Sequence, residues 1–142
     1  SFYCVCVCLC QNHIFFFFSL FCRFKIYTLY NEQFMLQKIK TQPQQITFQE
    51  VIDFIDGNYS FTPTAFTNGT LHNDAGQNNG SCKIFQFALM NNLSKEETLN
   101  CFGHFYREHV LGNPTATDHQ NIRNFMVSGF EGLKIEGVAL VR

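Results

Sequence analysis

The stretch over residues 67–83, TNGTLHNDAGQNNGSCK, sets a thiol, an imidazole and a carboxylate among glycines and side-chain amides. Gly80-Ser81-Cys82 at the start of a helix could activate a nucleophile. A helix N-terminus lowers the pKa of a thiol, and Gln77 upstream could donate to an oxyanion. Such a thiol needs a base. His72, His104 and His119 are the candidates, with Asn73 or Asp118 to orient the ring. The opposing expectation is that Cys82 is a small buried residue in a packed helix, as free cysteines usually are.

The same stretch supports binding without catalysis. Asn68, His72, Asn73, Gln77, Asn78, Asn79 and Ser81 could meet Asp118, His119, Asn121 and Arg123 from a later segment. Together they would form a polar pocket for a small ligand or a peptide. Two helix starts beside it would favour an anionic group, with Arg107 and Arg123 to assist. The amides could equally satisfy one another and hold the helix ends in place. A metal is the third chemistry. His72, Asp74, His104, Glu108, His109, Asp118 and His119 are of the types that suit zinc, iron or manganese. No pair has the spacing of a dedicated zinc motif, and His109 is expected to point away from the face shared by His104 and Glu108. Neither a metal nor another cofactor is assigned.

Positioning these groups falls to helices with short strands between them. Residues 28–40 space Leu29, Met35, Leu36 and Ile39 at helical intervals, and Pro43 follows. Thr47 with Glu50 predicts a capping box, Ile46 a hydrophobic staple to Val51, and Phe48, Val51, Ile52 and Ile55 one buried face, with Gly57 at the end. Residues 59–62 and 64–67 alternate apolar with small polar side chains around Pro63, which predicts extended chain with Tyr59, Phe61 and Phe66 inward. Residues 82–90 are almost continuously apolar. They predict a central helix capped by Ser81 or Gly80 and closed by Asn91-Asn92.

Ser94 with Glu97 predicts a second capping box, opening a long helix with Leu99, Phe102, Tyr106 and Val110 inward and a break at Gly112-Asn113-Pro114. Residues 117–120 predict a third cap before a helix that turns Ile122, Phe125 and Met126 inward and stops at Gly129. Residues 133–141 predict a strand or hairpin whose partner is the 59–67 segment. The sum is an α+β fold, about five helices packed with a small antiparallel sheet.

With 142 residues the chain suits one domain. A net charge of -1 without any basic run leaves no electrostatic footprint for nucleic acid. Eighteen phenylalanines and no tryptophan predict a core of rings without indoles. Five of the seven cysteines, Cys4, Cys6, Cys8, Cys10 and Cys22, lie in the first 22 residues. Cys82 and Cys101 alone remain, which reads as a reduced, cytosolic-type domain.

Residues 1–28 are apolar and of low complexity. They lack the charged region and cleavage site of a signal peptide, and Gln11-Asn12-His13 would interrupt a membrane span. Their Phe, Cys, Val, Leu, Ser and Tyr are what thymine-rich codons encode, so an intron or leader translated by mistake is the expected origin of this stretch. They are expected to lie outside the fold, leaving one domain over residues 29–142 that is cytoplasmic and engages no membrane itself. A membrane or secreted location is the minor alternative that the apolar stretch leaves open.

Four strings carry a family resemblance: YSFTPTAFTNG over residues 59–69, LHNDAGQNNGSCKIF over 71–85, CFGHFYRE over 101–108 and DHQNIRNFM over 118–126. Through them the chain from about residue 33 to 141 resembles the HopJ type III effector family. That family takes its name from a protein delivered into plant cells by a pathogen's secretion apparatus. The resemblance implies a shared domain and no particular biochemical activity, because family membership does not fix function. Two expectations from different classes follow. One is a binding or interaction module built on residues 67–82 and 117–124, for a small anionic ligand or a protein partner. The other is a hydrolase or transferase centred on Cys82.

Overall fold

The computed structural model describes the backbone of residues 15–142 and the side chains of residues 25–142. The chain divides into two compact units, Ser1–Glu32 and Gln33–Arg142. Helix α1 spans Phe15–Thr41, starting well before the segment that the apolar spacing marks. The expectation for residues 1–14 lies outside the described residues.

In the second unit a single turn over Pro43–Gln45 leads to α2, Phe48–Asn58. Thr47 caps α2 by accepting a hydrogen bond from the Glu50 amide, 3.1 Å away. The reciprocal half of the expected capping box is missing among the described residues. Glu50 instead directs its carboxylate to Lys38 on α1. Gly57 falls inside the last turn, so α2 ends one residue later than expected.

Two small antiparallel sheets follow. Strand β1, Ser60–Phe61, pairs with β5, Leu140–Val141. Strand β2, Phe66–Asn68, lies between β3, Leu71–Asn73, and β4, Leu133–Ile135, giving the order β3-β2-β4. The partnership of 59–67 with 133–141 is therefore present, divided between two small sheets. Strand β3 lies within the polar stretch over residues 67–83. It folds back because Gly69 adopts φ +61, a conformation that costs a glycine little.

Helix α3, Asn79–Met90, is the central helix, with Cys82, Ile84, Phe85, Phe87 and Ala88 buried. Phe85 is its hub: its ring centroid lies 5.9 Å from Phe66, 5.6 Å from Phe102 and 4.9 Å from Phe125. Burying each such ring contributes about 1.5–3 kcal/mol, and each ring pair about 0.5–1.5 kcal/mol more. Ser94 and Glu97 form the complete capping box of α4, Lys95–Asn100.

The long helix expected after Ser94 is broken in two. Gly103 takes φ +57, and a side chain there would lie 2.7 Å from the Phe48 amide nitrogen and 3.1 Å from the Thr47 Cα. The chain can pass this close to the start of α2 only as glycine. It resumes as a π-helical turn over Phe105–Val110, then α5 spans Gln120–Ser128 and stops at Gly129, φ +56. Arg107 ties the π turn to the segment just before α2, donating to the carbonyls of Pro43 at 3.0 Å and Ile46 at 2.8 Å. That engagement corrects its expected role in binding an anion.

Candidate functional site

Strand alternation sorts the polar stretch. In β2 and β3 the residues Phe66, Asn68 and Asn73 turn inward, while Thr67 and His72 share the opposite face and are cross-strand partners. His72 is exposed, 3.3 Å from Asp74 and 3.4 Å from the Thr67 hydroxyl. It lies away from the other candidates.

The inward amides bond to one another. Asn68 Nδ2 donates to the Asn121 carbonyl at 2.7 Å and to Asn121 Oδ1 at 3.1 Å. Asn73 Nδ2 donates to Asn121 Oδ1 at 3.2 Å, and Asn121 Nδ2 returns a bond to Asn73 Oδ1 at 2.8 Å. Asn78 Nδ2 reaches the same Asn73 Oδ1 at 2.7 Å. Asn68, Asn73 and Asn121 are all buried. They join β2 and β3 to the first turn of α5, as buried polar groups must be paired to be tolerated. Among the described residues, Asn68 Oδ1 and Asn79 Oδ1 are the buried side-chain atoms left without a partner.

Beside this network lies a cavity of about 440 Å³ whose polar lining is Asn78, Gly80, Ser81, His119, Gln120 and Asn121. Its apolar lining is Phe48, Leu71, Phe102, Phe105 and Ile122. The polar lining is made from two helix starts. Asn78 precedes α3 at φ 50, ψ 44, and His119 precedes α5 at φ 49, ψ 43. Both are in the left-handed region, which is uncommon for residues other than glycine, and neither side chain caps its helix.

This corrects the expected caps at Ser81 or Gly80 and at residues 117–120. It also leaves the amides of Asn79, Gly80, Ser81, Gln120 and Asn121 without an acceptor among the described residues, the first partnered ones being Cys82 and Ile122. Free N–H groups at a helix start carry partial positive charge. Gly80 is fitted to the wall, since a Cβ there would lie 2.8 Å from the Phe48 ring.

Beside His119 the π turn presents an imidazole that spacing along the chain does not reveal. His109 Nδ1 lies 3.1 Å from His119 Nε2. Phe105 packs against both, with ring centroids 5.5 Å from His109 and 5.2 Å from His119, and His104 covers Phe105 at 4.1 Å. The expectation that His109 points elsewhere is wrong. One extra residue in a π turn rotates each following side chain about the axis, and Gly103 inside a helical run is the signal that regular spacing fails here.

Four of the expected binding residues thus line the cavity: Asn78, Ser81, His119 and Asn121. Asn68 and Asn73 stand behind it. Gln77 spends its side-chain carbonyl on the Asp74 amide at 3.0 Å. Asp118 and Arg123 pair at 2.8 Å, and Arg123 also holds the carbonyls of Asp118 and Asn113, which removes it from the cavity. The Arg123 hydrogen bond is the main reason that the Asp118 carboxyl lies below its ordinary pKa.

Cys82 is 1% exposed and donates its thiol to the Thr64 carbonyl, 3.6 Å away. It is the fourth residue of α3, past the free amides, and burial pushes its pKa up rather than down. Activation as a thiolate nucleophile needs the opposite. Among the described residues no group of three metal-ligating side chains is assembled, and no helix is long and apolar enough to cross a membrane.

Fold and cavity together define a small helix-rich α+β domain with a half-polar, half-aromatic pocket. Residues 32–140 match the family model described as HopJ type III effector protein, and the chain belongs to that family. It is also similar to a crystal structure of VPA0580, a protein of unknown function, at 56% identity and a TM-score of 0.76, covering 77% of this chain and 91% of that one. No curated protein matches the chain.

Proposed function

We propose that this HopJ domain, taken as residues 29–142, is a cytoplasmic binding module for a small ligand that joins an anionic group to a flat apolar body. The observation that carries this reading is the convergence of two uncapped helix starts on one cavity that Phe48, Phe102 and Phe105 also line. Unpartnered helix amides favour an oxyanion, and the Phe48, Phe102 and Phe105 wall suits a planar or aliphatic body. A volume of about 440 Å³ is in the range of small-molecule sites.

The test is an NMR titration of the full chain with paired aromatic compounds that differ only in carrying a carboxylate or its neutral amide. The carboxylates are expected to shift the amide signals of Gly80, Ser81, Gln120 and Asn121 and to bind at least about tenfold tighter than the amides, as expected for a charge-assisted hydrogen bond. Equal binding of both members, or shifts confined to other surfaces, would reject the reading.

A further inference from the structure

We infer that His109 and His119 act as one proton-holding unit, and that the proton it takes up tightens the grip of the cavity on an anion. The inference rests on the anion-binding reading above and names a control on that same site. With both rings neutral, a separation of 3.1 Å between His109 Nδ1 and His119 Nε2 requires one ring to donate and the other to accept. A first added proton can remain in this line, because an imidazolium donates to a neutral imidazole through a stronger, charge-assisted bond. A second proton sets two donors and two positive charges against each other, so the bond is lost. Two sites coupled in this way titrate as a pair.

The surrounding groups fit the same account. Asp118 Oδ2 lies 3.7 Å from His119 Nε2, while Arg123 holds the other carboxylate oxygen. His104 stands edge-on to His109 with centroids 5.3 Å apart, and Phe105 packs against both members of the pair. The start of α5 adds partial positive charge beside His119. An anion in the cavity offsets that charge. By linkage, a ligand that favours the proton is itself favoured by it. His119 lines the cavity and His109 does not, so His109 is a positioning residue that acts through its partner.

Sulfate is the probe, since it stays dianionic wherever histidine titrates. Its affinity for the full chain is measured by calorimetry at about pH 8 and about pH 5.5, on either side of the ordinary histidine range. Wild type is expected to bind about tenfold tighter at the lower pH, the effect of one added charge under moderate screening. His109→Asn keeps a hydrogen-bonding side chain that cannot titrate, and His109→Phe keeps the ring packing. Each is expected to reduce the pH effect to less than about twofold, the residue of long-range charge alone. Thermal melts establish that at least one of them is folded.

Imidazole signals followed by NMR supply a readout independent of any ligand. They are expected to show two coupled steps in wild type and one simple step for His119 in the variants. Sulfate binding with the same pH dependence in wild type and variants, or independent titration of the two rings, overturns the inference and leaves the anion site standing. Absence of sulfate binding at either pH takes down the anion reading and this inference with it.

Discussion

Two polar clusters meet at the start of α5, and they differ in what is left over after folding. The amide cluster of Asn68, Asn73, Asn78 and Asn121 spends most of its groups on itself, and its three inner members are buried. The imidazole cluster of His104, His109 and His119 is held mainly by ring packing against Phe105 and one short nitrogen contact. Density of polar residues is common to both. A group whose bonds are spent inside the protein fixes the architecture, and one that keeps a face toward a cavity can act on something else.

Breaking the amide cluster is expected to give the largest effect on stability. Asn121→Ala removes the buried side-chain bonds that Asn121 exchanges with Asn68 and Asn73 and should cost about 2–4 kcal/mol in urea denaturation. A loss below about 0.5 kcal/mol, the level of an ordinary surface change, would remove the architectural assignment. Gly103→Ala tests the other cluster through its support. Forcing a Cβ into φ +57 against the α2 backbone should cost about 2–3 kcal/mol and broaden the His104 and His109 ring signals in NMR spectra.

His119→Gly separates the two clusters most sharply. Glycine accepts the left-handed conformation, so stability should change by less than about 1 kcal/mol while affinity for an aromatic carboxylate drops. Unchanged affinity would place the ligand elsewhere.

The smallest effect belongs to the exposed pair beside the clusters. Because Arg123 lowers the Asp118 pKa in the fold, its stabilising contribution is present above the unfolded value of about 3.9 and is lost as pH falls through the lower folded one. Melting curves of wild type between about pH 4 and about pH 2 should therefore fall more steeply than those of Asp118→Asn. Parallel curves would show that the pair adds nothing measurable.

What could be read along the chain, and what could not, follows the range of the forces involved. The caps at Thr47 and Ser94 are contacts across three residues, and both are present because such chemistry is local. The α+β class, the central helix and the pairing of 59–67 with 133–141 follow from apolar periodicity. The box at Glu50 failed because a distant lysine competes for its carboxylate.

The left-handed turns at Asn78 and His119 are not legible in the same way. Asparagine accepts that conformation, whereas histidine is held in it by its tertiary surroundings. His109 was misplaced because the π turn depends on how closely Gly103 approaches the start of α2, a fit that no spacing in the sequence encodes. Cys82 was assigned a catalytic candidacy by proximity to a helix start that lies three residues earlier, at Asn79.

The pairing of β1 with β5 and of β2 with β4 has a consequence for biosynthesis. On a chain made from its N-terminus, residues 60–68 wait for partners that are added much later, with Leu140 and Val141 among them. Until then two strand edges and the Phe66 side of the core stay open, a state in which a nascent chain is prone to associate with its neighbours. Helices can form during translation, but closure of this domain must come after release of the segment that carries β4 and β5 from the ribosome tunnel.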